Sequence, residues 1–567
     1  MNENAAGMTY EARREALLEK LLPTPEHLMS SGGDLYGNRA IAALVAGRFV
    51  EEANVRIRRT AEWFEHPHPN GRAHKGECDF AAMKLARLYH MQALRDKIQP
   101  ANLEAIQRFF IEHDFESVHG SENHALLFRV SRYLMASALP DREFQAYGRL
   151  GREVAEEDLD WLERSIRYRA AYGWGEFDSA CYINPDFECL INLHDFAPDA
   201  TLRRLSGMML NLLLADAIVD SLNGMYCGAH GRIYSKHALD HALENTRQFF
   251  CLYFGVLEPQ DVTAAILVDI LTSSFRPESI LADLTLHRTG PYENRERKHL
   301  HNPSDTLPVR PVGGSIRKYT YWNESYAMGC VQRQDPYPAG CPGSWYAHHE
   351  QHQWDLTFAG STRARLFTHH PGLGRLEHGY WTGDIRCGCG SFFQNRSALI
   401  ALYDIPQDQP YQFIHAYAPE DAFDDCRRRD GWVFVRKASA AAGLRMVNGH
   451  NFTPEGEFVG CEIRSPGSVN GVVCEAGNLK DFGGFDGFIS EVLANPVAFD
   501  SDNRSLAYQS LRNGRLHLDG NGRRRFDDAD ADLEYPLFDC PYLKSDWGSG
   551  VIEIIFGDRR LTLDFTE

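Results

Sequence analysis

The first half of the chain carries apolar residues at the spacing of a helix face, and the second half carries them in short alternating runs. The first pattern holds from about Asn38 to Phe275. It predicts helices over 41–64, 80–94, 103–112, 124–138, 142–171, 201–222, 236–254 and 261–275. Breakers such as Leu139-Pro140-Asp141 separate these blocks, because a Pro-Asp pair ends one helix and caps the next. The pattern therefore predicts a string of antiparallel helical hairpins.

After about Pro303, short runs rich in Val, Ile, Phe and Tyr alternate with Gly, Asn and Asp turns. They predict strands over 317–321, 354–358, 399–403, 432–436, 458–463, 472–474, 515–518 and 551–556. Helices first and strands afterwards indicate segregated domains rather than a βαβ alternation. We therefore expect an α+β multidomain protein, with helical hairpins over 1–300 and an antiparallel β-sandwich domain over 301–567. The segment 275–310 is expected to link the two domains and to form part of a cleft wall.

Composition and charge narrow the expected partners. The chain has 567 residues and a formal net charge of −19, whereas nucleic acids and anionic membranes both require a basic face. We expect neither as a partner. The start of the chain has no apolar signal region, and the odd number of cysteines, 13, is typical of a reducing compartment. A cytoplasmic location is therefore expected, or a periplasmic or secreted one if a signal has been removed.

Two polar clusters interrupt the helical half, Ser121-Glu122-Asn123-His124 and the stretch from Trp174 to Tyr182. Removing a carbon-bound proton beside a carboxylate requires groups that neutralise the carboxylate, a base, and an acid for the leaving oxygen. Amide and imidazole side chains can supply the first, and a tyrosine can supply the other two when nearby cations favour its ionised form. The clusters therefore predict β-elimination of a glycan that contains uronic acid.

The Asn-His pair, the long helical interval and a Tyr followed by an apolar helix from Ile183 resemble the α/α-toroid polysaccharide lyases, the group that contains alginate, heparin and hyaluronate lyases. The resemblance implies an (α/α) toroid followed by an antiparallel β domain, and an anionic polysaccharide or oligosaccharide as substrate. It also implies that Asn123 and His124 neutralise the substrate carboxylate, with His124 as base for one epimer, and that Tyr182 is the general base and acid. One departure is Glu122, where many relatives carry Asn, and its extra carboxylate would repel a uronate.

A loop punctuated by glycines, 224–235, offers a second group of polar side chains. Arg232 is the preferred cation, either beside the catalytic tyrosine or on the uronate, and Tyr234 is the rival catalytic tyrosine. A connector in which Arg232 caps helix carbonyls and Tyr234 packs on the helices is the structural alternative. The predicted substrate-binding residues are Trp174, as an aromatic platform, together with Glu176, His230, Arg129 and His349.

Histidines concentrate at 348–352 and 369–370. His348, His352 and His370 are candidate zinc ligands, but a cleft lining or a domain interface is favoured. We expect no cofactor and no metal, with a structural zinc or calcium ion as the alternative. A homo-oligomer also stays open.

Two other classes of function compete with a lyase. One is a glycoside hydrolase on a helical barrel that uses Glu176 and Asp178 with Glu122. The other is a carbohydrate-binding protein without catalytic chemistry. A lyase releases an unsaturated product without consuming water, a hydrolase releases new reducing ends without an unsaturated product, and a binding protein does neither.

Overall fold

The computed structural model describes residues 7–30, 37–62, 78–114, 122–263, 265–300, 314–334, 352–372, 379–383 and 388–567. Three residues singled out from the sequence, Ser121, His348 and His349, lie outside these ranges.

Helices dominate the described chain up to His287. They are α1 (Tyr10–Leu21), α2 (Pro25–Met29), α3 (Asn38–Ala46), α4 (Val50–Ala61), α5 (Cys78–His90), α6 (Pro100–Glu112), α7 (Glu122–Ala138), α8 (Gly151–Tyr172), α9 (Ile183–Phe196), α10 (Ala200–Asp220), α11 (Ser235–Leu239), α12 (Arg247–Phe249), α13 (Val268–Thr272) and α14 (Ser279–His287). Two short hairpins interrupt them, β1 (Glu143–Phe144) with β2 (Arg149–Leu150), and β3 (Ser221–Leu222) with β4 (Met225–Tyr226).

The predicted helices 103–112, 124–138 and 201–222 are confirmed as α6, α7 and α10. Local chemistry explains the start of α10, because the Asp199 side chain accepts a hydrogen bond from the Leu202 amide at 2.8 Å. The prediction of one helix over 41–64 is wrong. Gly47 takes the left-handed conformation there and ends α3 before α4 begins.

Two other predicted helices are also divided. The prediction 142–171 begins too early, because the β1–β2 hairpin precedes α8. The prediction 236–254 breaks into α11, α12 and short 3-10 and π turns.

Contacts between the helices close a ring. Helix α3 contacts α4, α4 contacts α5, α5 contacts α7, α7 contacts α9, α9 contacts α13, and α13 returns to α3. Helices α6, α8 and α10 flank this circuit, each packed on the members nearest in sequence. This closed circuit of hairpins is the predicted toroid. No helix in the described ranges is long and apolar enough to cross a membrane.

The second half is built from antiparallel strands and one helix. They are β5 (Tyr292–His299), β6 (Ser315–Trp322), β7 (Tyr326–Gln334), β8 (Trp354–Phe358), β9 (Arg365–His369), β10 (Gly390–Asn395), β11 (Ala398–Asp404), β12 (Phe413–Tyr417), β13 (Asp425–Arg429), β14 (Trp432–Lys437), β15 (Ala440–Met446), β16 (Asn451–Phe452), β17 (Glu462–Pro466), β18 (Val469–Asn478), α15 (Phe485–Ala494), β19 (Val497–Asp500), β20 (Ser505–Gln509), β21 (Arg515–Asp519), β22 (Arg524–Phe526), β23 (Ala529–Asp530), β24 (Phe538–Asp539), β25 (Leu543–Ser545), β26 (Val551–Phe556) and β27 (Arg559–Asp564). All the predicted strands appear except 458–463, which begins too early because β17 starts at Glu462.

Within the described residues, these strands form three stacked layers. A twelve-stranded sheet has the order β16-β17-β12-β9-β8-β7-β6-β5-β24-β25-β26-β27, and a six-stranded sheet has the order β10-β11-β18-β15-β14-β13. Apolar residues such as Trp354, Leu366 and Leu399 fill the space between them. A five-stranded sheet and α15 cover the other face of the six-stranded sheet, around Phe434 and Phe488. The predicted fold class, helical hairpins followed by an antiparallel β-sandwich, is confirmed.

The two halves share their boundary region. The last helix of the helical half, α14, ends at His287, and β5 begins at Tyr292. The described part of the expected linker, 275–300, therefore holds a helix and a central strand of the large sheet. Strands β5 and β6 send Lys298 and Lys318 into the helical half, where they meet buried carboxylates of the loop before α9 and of α10.

Candidate functional site

The candidate site forms where two loops of the helical half are tied together. Ser179 links them, because its hydroxyl accepts a hydrogen bond from the Tyr182 amide at 2.9 Å and donates to the Arg232 carbonyl at 2.8 Å. Gly231 permits the close approach, since a Cβ there would lie 2.6 Å from the Phe177 ring. The result places Tyr182, at the start of α9, beside Arg232 and Tyr234.

Tyr182, Arg232 and Tyr234 form one compact group. The two phenol oxygens lie 2.5 Å apart, and Arg232 Nη2 donates to the Tyr182 hydroxyl at 3.3 Å. The guanidinium carbon lies 4.9 Å from the centre of the Tyr182 ring and 5.2 Å from that of Tyr234. The sequence predicted Arg232 as the cation beside the catalytic tyrosine and Tyr234 as the rival of Tyr182, and the structure brings all three together.

Electrostatics distinguishes the members of this group. Burial raises the pKa of Tyr234, and the neighbouring Tyr182 raises it further, so Tyr234 stays a protonated hydrogen-bond donor. Burial disfavours the charge of Arg232, but Tyr182 and Glu176 outweigh it and raise the arginine pKa. A permanent cation and a protonated phenol therefore both lie against the Tyr182 oxygen.

Both tyrosines line a pocket of about 390 Å³. The rest of the lining comes from the toroid helices and their loops: Asn38, Phe80, Lys84, Cys181, Asn184, Pro185, Glu188, Lys236, His237, Leu243, Asn245, Thr263, Ala265 and Leu267. The Lys84 ammonium is neutralised at the pocket wall, because it pairs with Glu188 at 2.8 Å and also with Asp269. Burial raises the pKa of Glu188 to about 7.

His124 lies next to this pocket, and Asn123 lies deeper. The His124 ring packs edge-on against Phe80, a pocket residue, with ring centres 5.7 Å apart. Its Nδ1 is hydrogen-bonded to the buried carboxylate of Asp79. The Asn123 amide is buried and donates to Glu176 at 2.8 Å.

Glu122, the expected source of repulsion, is neutralised inside the protein. Its carboxylate pairs with Arg169 Nε at 2.9 Å and accepts hydrogen bonds from the Gly175 and Glu176 amides, each at 3.0 Å. Burial, together with Glu122 and Glu176, raises the pKa of the neighbouring Asp186 well above its usual range. Glu122, Glu176 and Asp186 are all buried, and none of them lines the pocket.

The residues predicted to bind substrate mostly lie away from the pocket. Trp174 is only 8% exposed and packs under Arg169, so its face is not an open platform for a sugar. His230 is fully buried, and its Nδ1 lies 2.6 Å from the Asp178 carbonyl oxygen. Burial lowers the pKa of His230 to about 3.

Arg129 is engaged between α7 and α8. Its guanidinium donates to Glu157 and to Asp158, each at 2.8 Å. Arg132 shares this pair of carboxylates, so the cluster binds the two helices together rather than reaching the tyrosines.

The candidate metal ligands are also placed by the structure, except His348. His352 Nε2 lies 3.3 Å from Asp355, and His370 Nε2 lies 2.9 Å from the Tyr411 carbonyl oxygen. Across the described ranges, Asp178, Asp216 and Glu296 are the only three potential metal ligands whose ligand atoms all lie within 4.8 Å of one another. The ammonium groups of Lys298 and Lys318 already lie among these carboxylates.

Sequence reasoning missed four residues of the pocket wall with charged or imidazole side chains, namely Lys84, Glu188, Lys236 and His237. Lys236 and His237 follow Tyr234 directly, so adjacency to a predicted site residue was an available signal. Lys84 and Glu188 carried no such signal, because each looks like an ordinary polar residue on an amphipathic helix.

No protein-family model matches this sequence, and no curated protein matches it. Among solved structures, this chain is similar to a chondroitinase AC lyase, with 7% sequence identity, 98% of each chain covered and a TM-score of 0.42. It is also similar to a chondroitin AC lyase mutant of Streptomyces coelicolor, with 12% identity, 97% of this chain and 91% of that chain covered and a TM-score of 0.37. A heparinase III structure matches with 10% identity, 92% of this chain and 91% of that chain covered and a TM-score of 0.36.

Proposed function

We propose that this protein is a polysaccharide or oligosaccharide lyase that cleaves glycans containing uronic acid by β-elimination. The observation that carries the proposal is the Tyr182–Tyr234 hydroxyl pair under the Arg232 guanidinium, at the wall of a pocket. A phenol in such a setting can hold a negative charge, take a proton and return it.

The first step is proton removal. Tyr182, as its phenolate, takes the proton from C5 of the uronate, while the substrate carboxylate delocalises the charge that develops. Arg232 and Tyr234 both direct donors at the Tyr182 oxygen and so stabilise the phenolate. Tyr234 serves as this donor because burial keeps it protonated.

The second step breaks the glycosidic bond. The electron pair left at C5 forms the C4–C5 double bond, the C4–O4 bond breaks, and Tyr182 returns the proton to the departing O4 oxygen. Atoms balance without water, and Tyr182 ends as the phenolate with which it began. One side chain thus serves both steps, as the sequence predicted for Tyr182.

We assign His124 to the substrate carboxylate and Asn123 to a supporting position behind it, because the Asn123 amide is buried and donates to Glu176. His124 is supported by Asp79, which accepts from Nδ1 and fixes the ring orientation at the edge of the pocket. Glu122 does not repel the substrate in this proposal, because Arg169 and two backbone amides neutralise its carboxylate.

The hydrolase alternative relied on Glu176 and Asp178. Glu176 accepts a hydrogen bond from Asn123, and Asp178 is paired with both Lys298 and Lys318. Neither residue lines the pocket, whereas hydrolysis needs two carboxyl groups facing the scissile bond. The placement of the polar groups therefore supports elimination better than hydrolysis.

An ultraviolet absorbance screen tests the proposal. Purified protein is incubated with alginate, glucuronan, hyaluronan, chondroitin, heparin and pectic substrates, and formation of an unsaturated product is followed. We expect at least one substrate to give rising absorbance. Tyr542→Phe is the matched control for Tyr182→Phe, because Tyr542 lies in the β half and its exposed hydroxyl donates to the Thr289 carbonyl. New reducing ends without absorbance would contradict the lyase and favour a hydrolase.

A further inference from the structure

The segment 228–237, which carries the arginine and the second tyrosine of the site, lies against the twelve-stranded sheet of the β half. At its start, the Gly228 amide donates a hydrogen bond to Asp355 Oδ1 at 2.8 Å. At its end, the His237 carbonyl accepts a hydrogen bond from Arg365 Nη1 at 3.0 Å. Asp355 lies on β8 and Arg365 on β9, which are neighbours in the sheet. Both ends of the segment are therefore bonded to adjacent strands.

Asp355 and Arg365 are also each other's partner. Arg365 Nη2 donates to Asp355 Oδ2, which leaves the other carboxylate oxygen and the other terminal nitrogen for the bonds to the segment. Both side chains are fully buried. Burial disfavours the charge of Asp355, but Arg365 outweighs it and lowers the pKa of the carboxyl. This buried ion pair, the anchoring pair, thus bonds both ends of the segment.

The segment follows the sheet between its ends as well. The His230 amide donates to the His352 carbonyl at 2.9 Å, as an isolated antiparallel bridge. Gly228 has the left-handed φ of 87° and packs closely on β7, since a Cβ on Gly329 would lie 3.0 Å from the Gly228 Cα. Hydrogen bonds and close packing together set the distance between the segment and the sheet.

The hydrogen bond from Arg232 to Tyr182 is sensitive to that distance. Arg232 Nη2 lies 3.3 Å from the Tyr182 oxygen, beyond the usual nitrogen–oxygen range of about 2.7–3.2 Å. A further displacement of a few tenths of an ångström would break this bond. Misplacement of a group by about 1 Å can lower the rate of a reaction about 100-fold. The position of the segment therefore bears directly on the donors that face the Tyr182 oxygen.

We propose that Asp355 and Arg365 are positioning residues, which hold the segment 228–237 on the sheet so that Arg232 and Tyr234 keep their donors on the Tyr182 oxygen. This inference rests on the proposed function. Neither member of the anchoring pair lines the pocket, so both act through the segment and not on the substrate. The β half thereby sets the geometry of a site whose reacting side chains belong to the helical half.

Two variants separate positioning from stability. Arg365→Met leaves the buried Asp355 without its cation, so the unfolding temperature should fall sharply. Asp355→Leu/Arg365→Met leaves no unpaired charge, so the unfolding temperature should rise again toward that of the parent, although both bonds to the segment are lost. We expect kcat of this double variant to stay about 10- to 100-fold below that of the parent, with KM nearly unchanged. Recovery of kcat together with the unfolding temperature would overturn the positioning role.

The matched control is Arg363→Met/Asp421→Leu. It removes an exposed ion pair of the same type, with Arg363 Nη1 and Asp421 Oδ2 2.7 Å apart, and should leave both kcat and the unfolding temperature near those of the parent. If the double variant of the anchoring pair does not fold, Arg365→Lys takes its place. A lysine keeps the charge beside Asp355 but lacks the planar fork of two nitrogens, so kcat should fall about 3- to 10-fold. Parental kcat in Arg365→Lys would then overturn the role.

A double-mutant cycle tests whether the anchoring pair acts through the segment. In an Arg232→Met/Tyr234→Phe background, the donors that the pair positions are already absent. We expect Asp355→Leu/Arg365→Met to lower kcat less than about 3-fold in this background, compared with 10- to 100-fold in the parent. A general loss of structure would lower kcat by the same factor in both backgrounds, and that result would overturn the positioning role.

A fluorine resonance gives a readout that does not depend on turnover. With 3-fluorotyrosine at position 182, the fluorine reports on the Arg232 guanidinium, whose carbon lies 4.9 Å from the ring centre. Arg232→Met provides the reference shift. We expect Asp355→Leu/Arg365→Met to shift the resonance toward this reference or to add a second resonance, and Arg363→Met/Asp421→Leu to leave it in place. An unchanged resonance in the variant of the anchoring pair would overturn the positioning role, whatever the change in kcat.

Failure of this inference and failure of the proposed function give different results. An unsaturated product from the parent, with a resonance or a kcat that ignores the anchoring pair, overturns the positioning role and leaves the lyase. A displaced resonance without any unsaturated product from the parent overturns the lyase and leaves the positioning role. An unchanged resonance without any unsaturated product overturns both.

Discussion

Side chains of the loop before α9 lie in two polar regions, and the two regions differ in the groups that surround their charged side chains. On one side, Tyr182 lines the pocket beside Arg232 and Tyr234, with its oxygen within reach of a ligand. On the other side, only four positions earlier, Asp178 is buried against Lys298 and Lys318 from the β half.

The two regions differ in the groups that lie against their cations. In the buried cluster, Asp178, Asp216, Asp220 and Glu296 surround the two lysines, and every ammonium has carboxylate partners. In the pocket, the Arg232 cation donates a hydrogen bond to the Tyr182 hydroxyl, and Tyr182 and Glu176 both favour the charged form of the arginine. Buried ammonium–carboxylate pairs join the two halves, whereas a cation directed at a hydroxyl oxygen is suited to proton transfer.

The largest expected effect is on turnover in Tyr182→Phe. In the proposed reaction, removing the hydroxyl removes both the base and the acid, so kcat should fall by about 10⁴-fold. Binding of substrate and the unfolding temperature should change little, since only one hydrogen-bonding oxygen at the pocket wall is lost. Absorbance kinetics, calorimetry and thermal unfolding measure the three quantities. Retention of near-normal kcat would transfer the catalytic role to Tyr234.

The next largest effect is on stability in Lys318→Met. This change removes one of the two lysines that pair with Asp178 and with Glu296, and it removes the lysine that pairs with Asp220, all in a fully buried setting. We expect the free energy of unfolding to fall by about 3–5 kcal/mol, measured by denaturant titration. Arg523→Met is the control, because it breaks the exposed Arg523–Asp530 pair and should leave stability unchanged. Equal stability of the two variants would contradict the structural role of the buried cluster.

Tyr234→Phe should lower kcat, but by less than Tyr182→Phe does. It removes the donor to the Tyr182 phenolate and leaves Arg232 in place. A hydrogen bond to a charged group contributes about 1.5–3 kcal/mol, so kcat should fall about 10- to 100-fold while KM stays near its original value. Steady-state kinetics over a range of substrate concentrations measures both. A loss as large as that in Tyr182→Phe would mean that the two tyrosines have been assigned the wrong way round.

The smallest expected effect is a pH dependence of stability that belongs to the buried cluster. Burial raises the pKa of Asp220 to about 6, so between about pH 4 and pH 6 the folded protein keeps a proton that the unfolded chain loses. This contribution to stability is complete below about pH 4 and is lost as the pH rises through 6. Relative to Asp220→Asn, the wild-type free energy of unfolding should fall by on the order of 2 kcal/mol across that window. A constant difference between the two proteins from pH 4 to pH 7 would contradict it.

The sequence was sufficient to predict the order of helices and strands, because hydrophobic periodicity reports on local structure. It also grouped Tyr182, Arg232 and Tyr234, since both polar loops are visible as breaks in that periodicity. It could not show that Trp174 is buried under Arg169, because burial of an aromatic residue in a loop depends on tertiary contacts. Nor could it show that Glu122 is neutralised, since its partner Arg169 is distant in the chain.

The buried cluster could not be predicted from the sequence either, because it also depends on contacts between distant parts of the chain. Lys298 and Lys318 lie on strands that pair with each other, and their carboxylate partners Asp178, Asp216 and Asp220 lie in the helical half. On a strand, a lysine is typically read as a solvent-facing residue. Only the packing of the two halves shows that both ammonium groups point inward.

Mass spectrometry of the products in heavy-oxygen water most directly distinguishes elimination from hydrolysis. Hydrolysis adds one oxygen from water to each new reducing end, whereas β-elimination adds none and leaves a C4–C5 double bond. With the substrate selected by the absorbance screen, we expect an unsaturated product that carries no heavy oxygen at the moment of cleavage, and no product from Tyr182→Phe. A saturated product that carries one heavy oxygen for each bond cleaved would contradict the lyase.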